Sequence, residues 1–152
     1  MKILITGSSG YIGTHFLKYL IKKKIKIVST YRKKKPKIKS SKIKNLKFNI
    51  FGNKKFLNKN KIDLLIHFAW KKKDYSKSKN LDEAKKHLKF LKTIVDSGVK
   101  NIVVAGSCFE YGKKNGSLKE ESTCKPNTNY GIQKKFILDN IIKYQKLKKF
   151  NL

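Results

Sequence analysis

The sequence predicts an α/β fold, a Rossmann-like, doubly wound parallel sheet of about five strands in the order 3-2-1-4-5. Three observations carry that reading. A short apolar run, Ile3-Leu4-Ile5, passes directly into a glycine-rich turn and an amphipathic helical pattern. Comparable runs recur further on, at residues 25–28, 46–50, 63–70 and 100–107. Residues 3–5 and 63–70 are apolar through their length, as expected for strands covered on both faces, while residues 46–50 are a more modest run.

The opening turn, Thr6-Gly7-Ser8-Ser9-Gly10-Tyr11-Ile12-Gly13, spaces its glycines Gly-x-x-Gly-x-x-Gly. A strand–turn–helix junction aims backbone N–H groups and the positive end of a helix dipole at one point, where a phosphate can sit. Glycines keep Cβ atoms out of that point. The plainer alternative is a turn whose glycines serve only close helix–sheet packing.

A helix follows over residues 11–24, with Ile12, Phe16, Leu17, Leu20 and Ile21 on one stripe. The second strand, residues 25–28, leads into Ser29-Thr30-Tyr31-Arg32 and completes a β-α-β unit. An acidic residue after this strand would accept bonds from adenosine ribose hydroxyls and favour NAD. None occurs between Met1 and Lys61, and Arg32 and Lys33 stand there instead, suited to a 2′-phosphate. The expected cofactor is NADP, with NAD remaining open.

Residues 33–45 are lysine-rich, carry Pro36 and read as a loop. The third strand is expected at residues 46–50. Its Asn49 either approaches an adenine or forms a turn. Phe56 and Leu57 suggest a short helix. In the fourth strand, residues 63–70, His67 reads as a hydrogen-bonded structural residue. A polar loop precedes a long helix over residues 81–97, with Ala84, Leu88, Leu91, Ile94 and Val95 inward and Gly98 as its cap. The fifth strand ends at Ser107, on the sheet edge where open α/β folds bind ligands. The loop from Cys108 to Asn129 exceeds ordinary connector length, which commonly marks function. A last helix over residues 130–149 turns Phe136, Ile137, Ile141 and Tyr144 inward.

That helix opens with Tyr130 and Lys134, an i, i+4 pair that shares one face. A phenol is a poor base at neutral pH, and an ammonium beside it favours the phenolate. Ser107 is placed to hold the oxygen that exchanges the proton.

Composition excludes other classes. Lys and Arg number 39 against 9 acidic residues, a formal charge of +30. The lysines are scattered over every element, and Arg32 is the sole arginine. Specific nucleic-acid reading is therefore not expected, since base edges are read chiefly by arginine. No apolar run reaches the roughly 18 residues of a membrane span. Glycines interrupt the N-terminal run as no signal peptide's would be, so a soluble, cytoplasmic chain is expected. Cys108 and Cys124 lack metal-site or disulfide-framework spacing.

Thr6-Gly7-Ser8-Ser9-Gly10-Tyr11-Ile12-Gly13, His67-Phe68-Ala69-Trp70, Gly106-Ser107-Cys108-Phe109-Glu110-Tyr111-Gly112 and Tyr130-Gly131-Ile132-Gln133-Lys134 occur in one order along the chain. Together they resemble the extended short-chain dehydrogenases/reductases, the NAD-dependent epimerase/dehydratase family acting on nucleotide sugars. The resemblance runs from Met1 to Tyr144 and is strongest to the branch that reduces 4-keto-6-deoxyhexoses on CDP or dTDP. It implies that Gly7, Gly10 and Gly13 line a pyrophosphate, with Tyr11 and Ile12 starting the helix beneath it. Phe68 and Ala69 would lie along the adenosine and nicotinamide ribose. Ser107 would bond the sugar C4 oxygen, Tyr130 would exchange the proton, and Lys134 would bind the nicotinamide ribose and tune Tyr130. The family's asparagine in the helix before strand five has no clear counterpart; Asp82 or Glu83 falls near it.

The resemblance also implies a homodimer through helices 81–97 and 130–149. Family members continue well beyond this length, so residues 1–152 read as one NAD(P)-binding domain, C-terminally truncated, with the substrate domain missing and strand five an uncovered edge. The expected function is an NADP-dependent nucleotide-sugar reductase or epimerase domain with hydride transfer at sugar C4. The alternatives are a catalytically silent dinucleotide-binding domain and an unspecific polyanion-binding basic protein.

Overall fold

A computed structural model of the chain describes residues 1–52, 61–71 and 74–152. Its strands are β1 (Lys2–Thr6), β2 (Lys26–Tyr31), β3 (Ile43–Lys47), β4 (Leu64–His67) and β5 (Asn101–Val104). All pair in parallel, in the order β3-β2-β1-β4-β5. Helices α1 (Tyr11–Leu20), α2 (Asp82–Asp96) and α3 (Asn129–Lys148) cover the sheet, and a 3₁₀ turn spans Cys108–Glu110. The expected order is found. The short helix expected at Phe56 and Leu57 lies outside the described residues.

The two faces of the sheet explain the apolar runs of its central strands. Leu4, Val28, Leu65 and Ile102 join a core with α2 and α3. Their neighbours Ile3, Ile5, Ile27 and Ile66 point the other way and pack with Leu17 and Leu20 of α1. Each such side chain, once fully buried, contributes about 1.5–3 kcal/mol. β1 sits at the centre, so the glycine turn that leaves it is held by rigid structure on both sides.

Some boundaries move, for physical reasons. β3 begins three residues before the expected Leu46, inside the stretch read as a loop. It is an edge strand, and its extent is fixed by backbone pairing from Ile27↔Ile43 to Tyr31↔Lys47. Ile43 and Leu46 pack into opposite cores, a sparse pattern among lysines that periodicity does not reveal. α1 stops at Leu20 instead of continuing to Lys24. Lys42 ties down the turn that follows, its Nζ donating to the Ile21 and Lys23 carbonyls at 2.8 and 3.0 Å. At the chain's end Phe150 is buried, and Asn151 bridges to Asn101. The outer edge of β5 is thus engaged at its start, while Val103 stays 48% exposed.

Candidate active site

Gly7 follows β1 with φ +72°, a left-handed conformation that side chains rarely adopt. A Cβ there would come within 2.6 Å of the Ala69 nitrogen and 2.7 Å of the Phe68 carbonyl carbon. The turn and the segment after β4 are therefore pressed backbone to backbone. Gly10 closes the turn, its N–H donating to the Gly7 carbonyl at 3.0 Å. A Cβ on Gly10 would meet only that carbonyl, at 3.2 Å, and would otherwise fill the mouth of the turn. Gly13 has a different duty: a Cβ on it would strike Gly7 and Ser8, so it lets α1 sit against the turn. Beneath, Ser8 donates to the Thr30 carbonyl at 2.9 Å and accepts from Ser29 Oγ at 2.6 Å, tying the turn to β2.

A cleft of about 310 Å³ opens beside the turn. Gly7, Gly10, Arg32, Phe68 and Ala69, five of the residues proposed from the sequence to hold a cofactor, line it, and so do Lys33 and Lys34 after Arg32. Its size is at the lower end for ligand sites. Tyr11 and Ile12 do not line it; their side chains are exposed at the start of α1. Asn49 does not line it either, although Phe48, Ile50 and Phe51 do. Its Oδ1 accepts from the Phe51 N–H at 3.1 Å, the turn-forming role.

Tyr130 and Lys134 are brought together on the first turns of α3. Thr128 caps that helix by accepting from the Gly131 N–H at 3.2 Å. Gly131 lies so close to the Phe109 carbonyl that any side chain would collide with it. The helix start is thereby locked onto the 3₁₀ turn after β5. Both side chains are buried, Tyr130 6% and Lys134 7% exposed. The Lys134 ammonium donates to the Ala105 carbonyl at 2.6 Å and lies 5.9 Å from the Tyr130 ring centre. Tyr130 is boxed by the edges and faces of Trp70, Tyr75 and Phe109.

Ser107 sits at the predicted edge, half-buried, but its hydroxyl serves locally. It accepts from the Phe109 N–H at 3.3 Å, while the Ser107 N–H donates to Glu110 Oε1 at 2.6 Å, a capping box. Glu110 is buried, and burial pushes its carboxyl above the usual range against the opposing pull of the Ser107 N–H. Ser107, Tyr130 and Lys134 stand outside the lining of the cleft, with Trp70 between the two regions.

Two further features went unassigned in the sequence. His67 is structural, as expected, but it belongs to a buried chain. Thr6 Oγ1 meets His67 Nδ1 at 2.7 Å, and His67 Nε2 meets His87 Nδ1 at 2.8 Å. Burial, reinforced by the neighbouring cations, holds both rings neutral; His87 is pulled down to about 3, with Lys134 and Arg32 acting after burial. His87 Nε2 faces Glu83 Oε1 at 3.5 Å, and neither atom has a hydrogen-bond partner. Both residues line the cleft. Of the two acids near the family's asparagine position, the structure thus puts Glu83 into the cleft and leaves Asp82 exposed. Trp70 is the second feature. It stacks on His87 at 4.6 Å and carries the Lys134 ammonium 4.4 Å from its ring centre. A histidine at i+4 from a glutamate, on the apolar face of α2, was the available signal for the first.

Among the described residues, no group of three or more His, Cys, Asp and Glu side chains could hold a metal, and no helix is long and apolar enough to cross a membrane.

Residues 3–152 match the family model described as the NAD dependent epimerase/dehydratase family. The chain is 32% identical over 145 residues to dTDP-6-deoxy-L-talose 4-dehydrogenase (NAD(+)) of Aggregatibacter actinomycetemcomitans, covering 90% of this chain and 53% of that protein. It is 28% identical over 156 residues to the uncharacterized UDP-glucose epimerase YtcB of Bacillus subtilis, covering 88% and 48%. The chain therefore spans about half the length of the curated relatives it matches. Two solved structures share the fold. One is UDP-glucuronic acid 4-epimerase of Bacillus cereus in complex with UDP-glucuronic acid and NAD, with TM-score 0.82, 20% identity and coverage of 99% and 54%. The other is UDP-glucose 4-epimerase of Bifidobacterium longum in complex with NAD+ and UDP, with TM-score 0.83, 21% identity and coverage of 97% and 50%.

Proposed function

The chain belongs to the NAD dependent epimerase/dehydratase family, and from that premise we propose that it binds NADP beside the glycine turn and serves hydride transfer at C4 of a nucleotide-diphosphate sugar. One observation carries the reading: the buried Tyr130–Lys134 pair stands next to Trp70, which is itself a wall of the glycine-turn cleft. That neighbourhood, at the carboxyl edge of the sheet where such folds bind ligands, supports reading the glycine turn and the Tyr130–Lys134 pair as parts of one site.

The residues divide the work as follows. Gly7 and Gly10 admit a pyrophosphate to the backbone, with the N-terminal N–H groups of Tyr11 and Ile12 and the helix dipole behind it. Gly13 lets α1 come close enough for that. Phe68 and Ala69 lie along the ribose groups, while Asn49 stays outside the cleft as a turn former. Arg32, on the cleft wall with Lys33 and Lys34, meets a 2′-phosphate; NAD is the competing cofactor, and Glu83 on the same wall works against a second phosphate group. When bound, the nicotinamide supplies or takes up the hydride. Lys134 holds its ribose and the charge beside Tyr130. Tyr130 gives a proton to the C4 oxygen as a ketone becomes an alcohol and takes it back in the reverse direction, and Ser107 orients that oxygen. The reducing cytoplasm suits the two free thiols, Cys108 and Cys124.

Tyr130→Phe tests the assignment. Reduction of a 4-keto nucleotide sugar is expected to fall at least about 100-fold while NADPH affinity is retained. Undiminished turnover would sink it. A second reading, dinucleotide binding without turnover, is favoured by the absence of Ser107, Tyr130 and Lys134 from the cleft lining. Saturable NADPH binding with no sugar binding and no turnover would select it.

A further inference from the structure

We infer that Trp70 is a positioning residue for Lys134, and that it stands on the buried Thr6–His67–His87 chain to do so. The inference rests on the functional reading of Lys134 given above. The indole of Trp70 touches both regions of the site. It lines the cleft, lies 16° from parallel on the His87 ring, and meets the Tyr130 ring edge-on at 5.6 Å. The Lys134 ammonium sits 4.4 Å from the centre of the same indole. An indole face is the best of the aromatic surfaces for an ammonium, and the attraction grows when water is removed. Lys134 is buried, and the Ala105 carbonyl and the Trp70 ring are among the groups that hold its ammonium.

A single indole can fix an ammonium only if the indole itself is fixed. His87 provides the floor. Its ring is clamped by Phe51 edge-on at 5.1 Å and bonded through His67 to Thr6, the last residue of β1. Thr6 Oγ1 also accepts from the Ala69 N–H at 3.4 Å, and at the other end of the chain His87 Nε2 lies 3.5 Å from Glu83 Oε1. The same N–H of Ala69 is at the end of the segment pressed on Gly7. The column therefore joins the cradle to the acid/base pair through groups that are all buried or half-buried. A neutral His87 also adds no repulsion to the ammonium above it.

The test compares two ligands. NADPH carries the nicotinamide ribose that Lys134 would hold; 2′,5′-ADP keeps the adenosine half and lacks it. The quantity read is the advantage of NADPH over 2′,5′-ADP, measured by titration calorimetry. Trp70→Met is expected to reduce that advantage about three- to tenfold, and Trp70→Phe, which keeps a ring face, to restore most of it. In a Lys134→Met background, Trp70→Met is expected to change nothing more, because the two residues act as one unit. Equal losses for both ligands, or the same loss with and without Lys134, would overturn the inference and make Trp70 a plain cleft wall. If Lys134→Met leaves the advantage untouched, or if the wild-type protein binds neither ligand, the functional reading falls together with this inference. Circular dichroism checks each variant's fold; should Trp70→Met not fold, Trp70→Gln at this half-buried position reads the same ratio.

Discussion

Gly7 shows how much a single residue can decide. Its positive φ and the backbone of residues 68 and 69 leave no room for a methyl group. Gly7→Ala should destabilise the fold by more than about 1 kcal/mol, read as a lower urea midpoint at unchanged slope. Glu83 makes the opposite case, a residue whose cost falls on binding. With its Oε1 buried and unpartnered on the cleft wall, Glu83→Gln should stabilise the chain or leave it unchanged. The same substitution should raise affinity for a doubly phosphorylated ribose such as 2′,5′-ADP. A lowered melting temperature together with weaker 2′,5′-ADP binding would contradict this. Residue identities at Gly7, Gly10, Arg32, Tyr130 and Lys134 were legible in the sequence because each fills a position that chemistry restricts. Trp70 and His87 were not, because their importance lies in contacts between α2 and residues 67–70, far apart in the chain and unrelated in spacing; His67 and His87 are twenty positions apart.

Elements were legible where burial is two-sided and obscure where it is not. β1, β4 and β5 announce themselves as apolar runs. β3 does not, since Ile43 and Leu46 are its only packed apolar residues and the strand is defined by its bonds to β2. The histidine chain between β4 and α2 yields a prediction at this scale. Folding depresses the His87 pKa from the ordinary 6.5 to about 3, mainly through burial. The unfolded chain therefore binds more protons below pH 6.5. Stability is complete above that pH and is lost as pH falls toward 3, at about 1.4 kcal/mol per unit for this one residue. Thermal melts from pH 7 to pH 4 should show the decline, and His87→Phe should lessen its slope, with the buried His67 supplying the remainder. An identical pH slope in that variant would show that the acid sensitivity lies elsewhere.

The whole molecule joins a parallel sheet typical of its family to an unusual charge. With +30 on 152 residues, self-repulsion is strong at low salt and is screened within about 10 Å at 0.1 M. α2 and α3 pack on each other, and α3 exposes Leu138, Ile142 and Leu147. α2 exposes Lys85, Lys86 and Lys89. A homodimer built on these two helices should accordingly tighten as salt rises, which sedimentation at micromolar concentration can follow. A monomer at every salt concentration would rule it out. The central claim is that the glycine-turn cleft holds a nicotinamide dinucleotide. Calorimetric titration of NADPH into the wild-type chain and into Gly10→Val tests it most directly. The account predicts saturable one-to-one binding to the wild type and loss of at least tenfold in affinity in the folded variant, about 1.4 kcal/mol or more. Absent binding to the wild type, or equal binding to both, would contradict it.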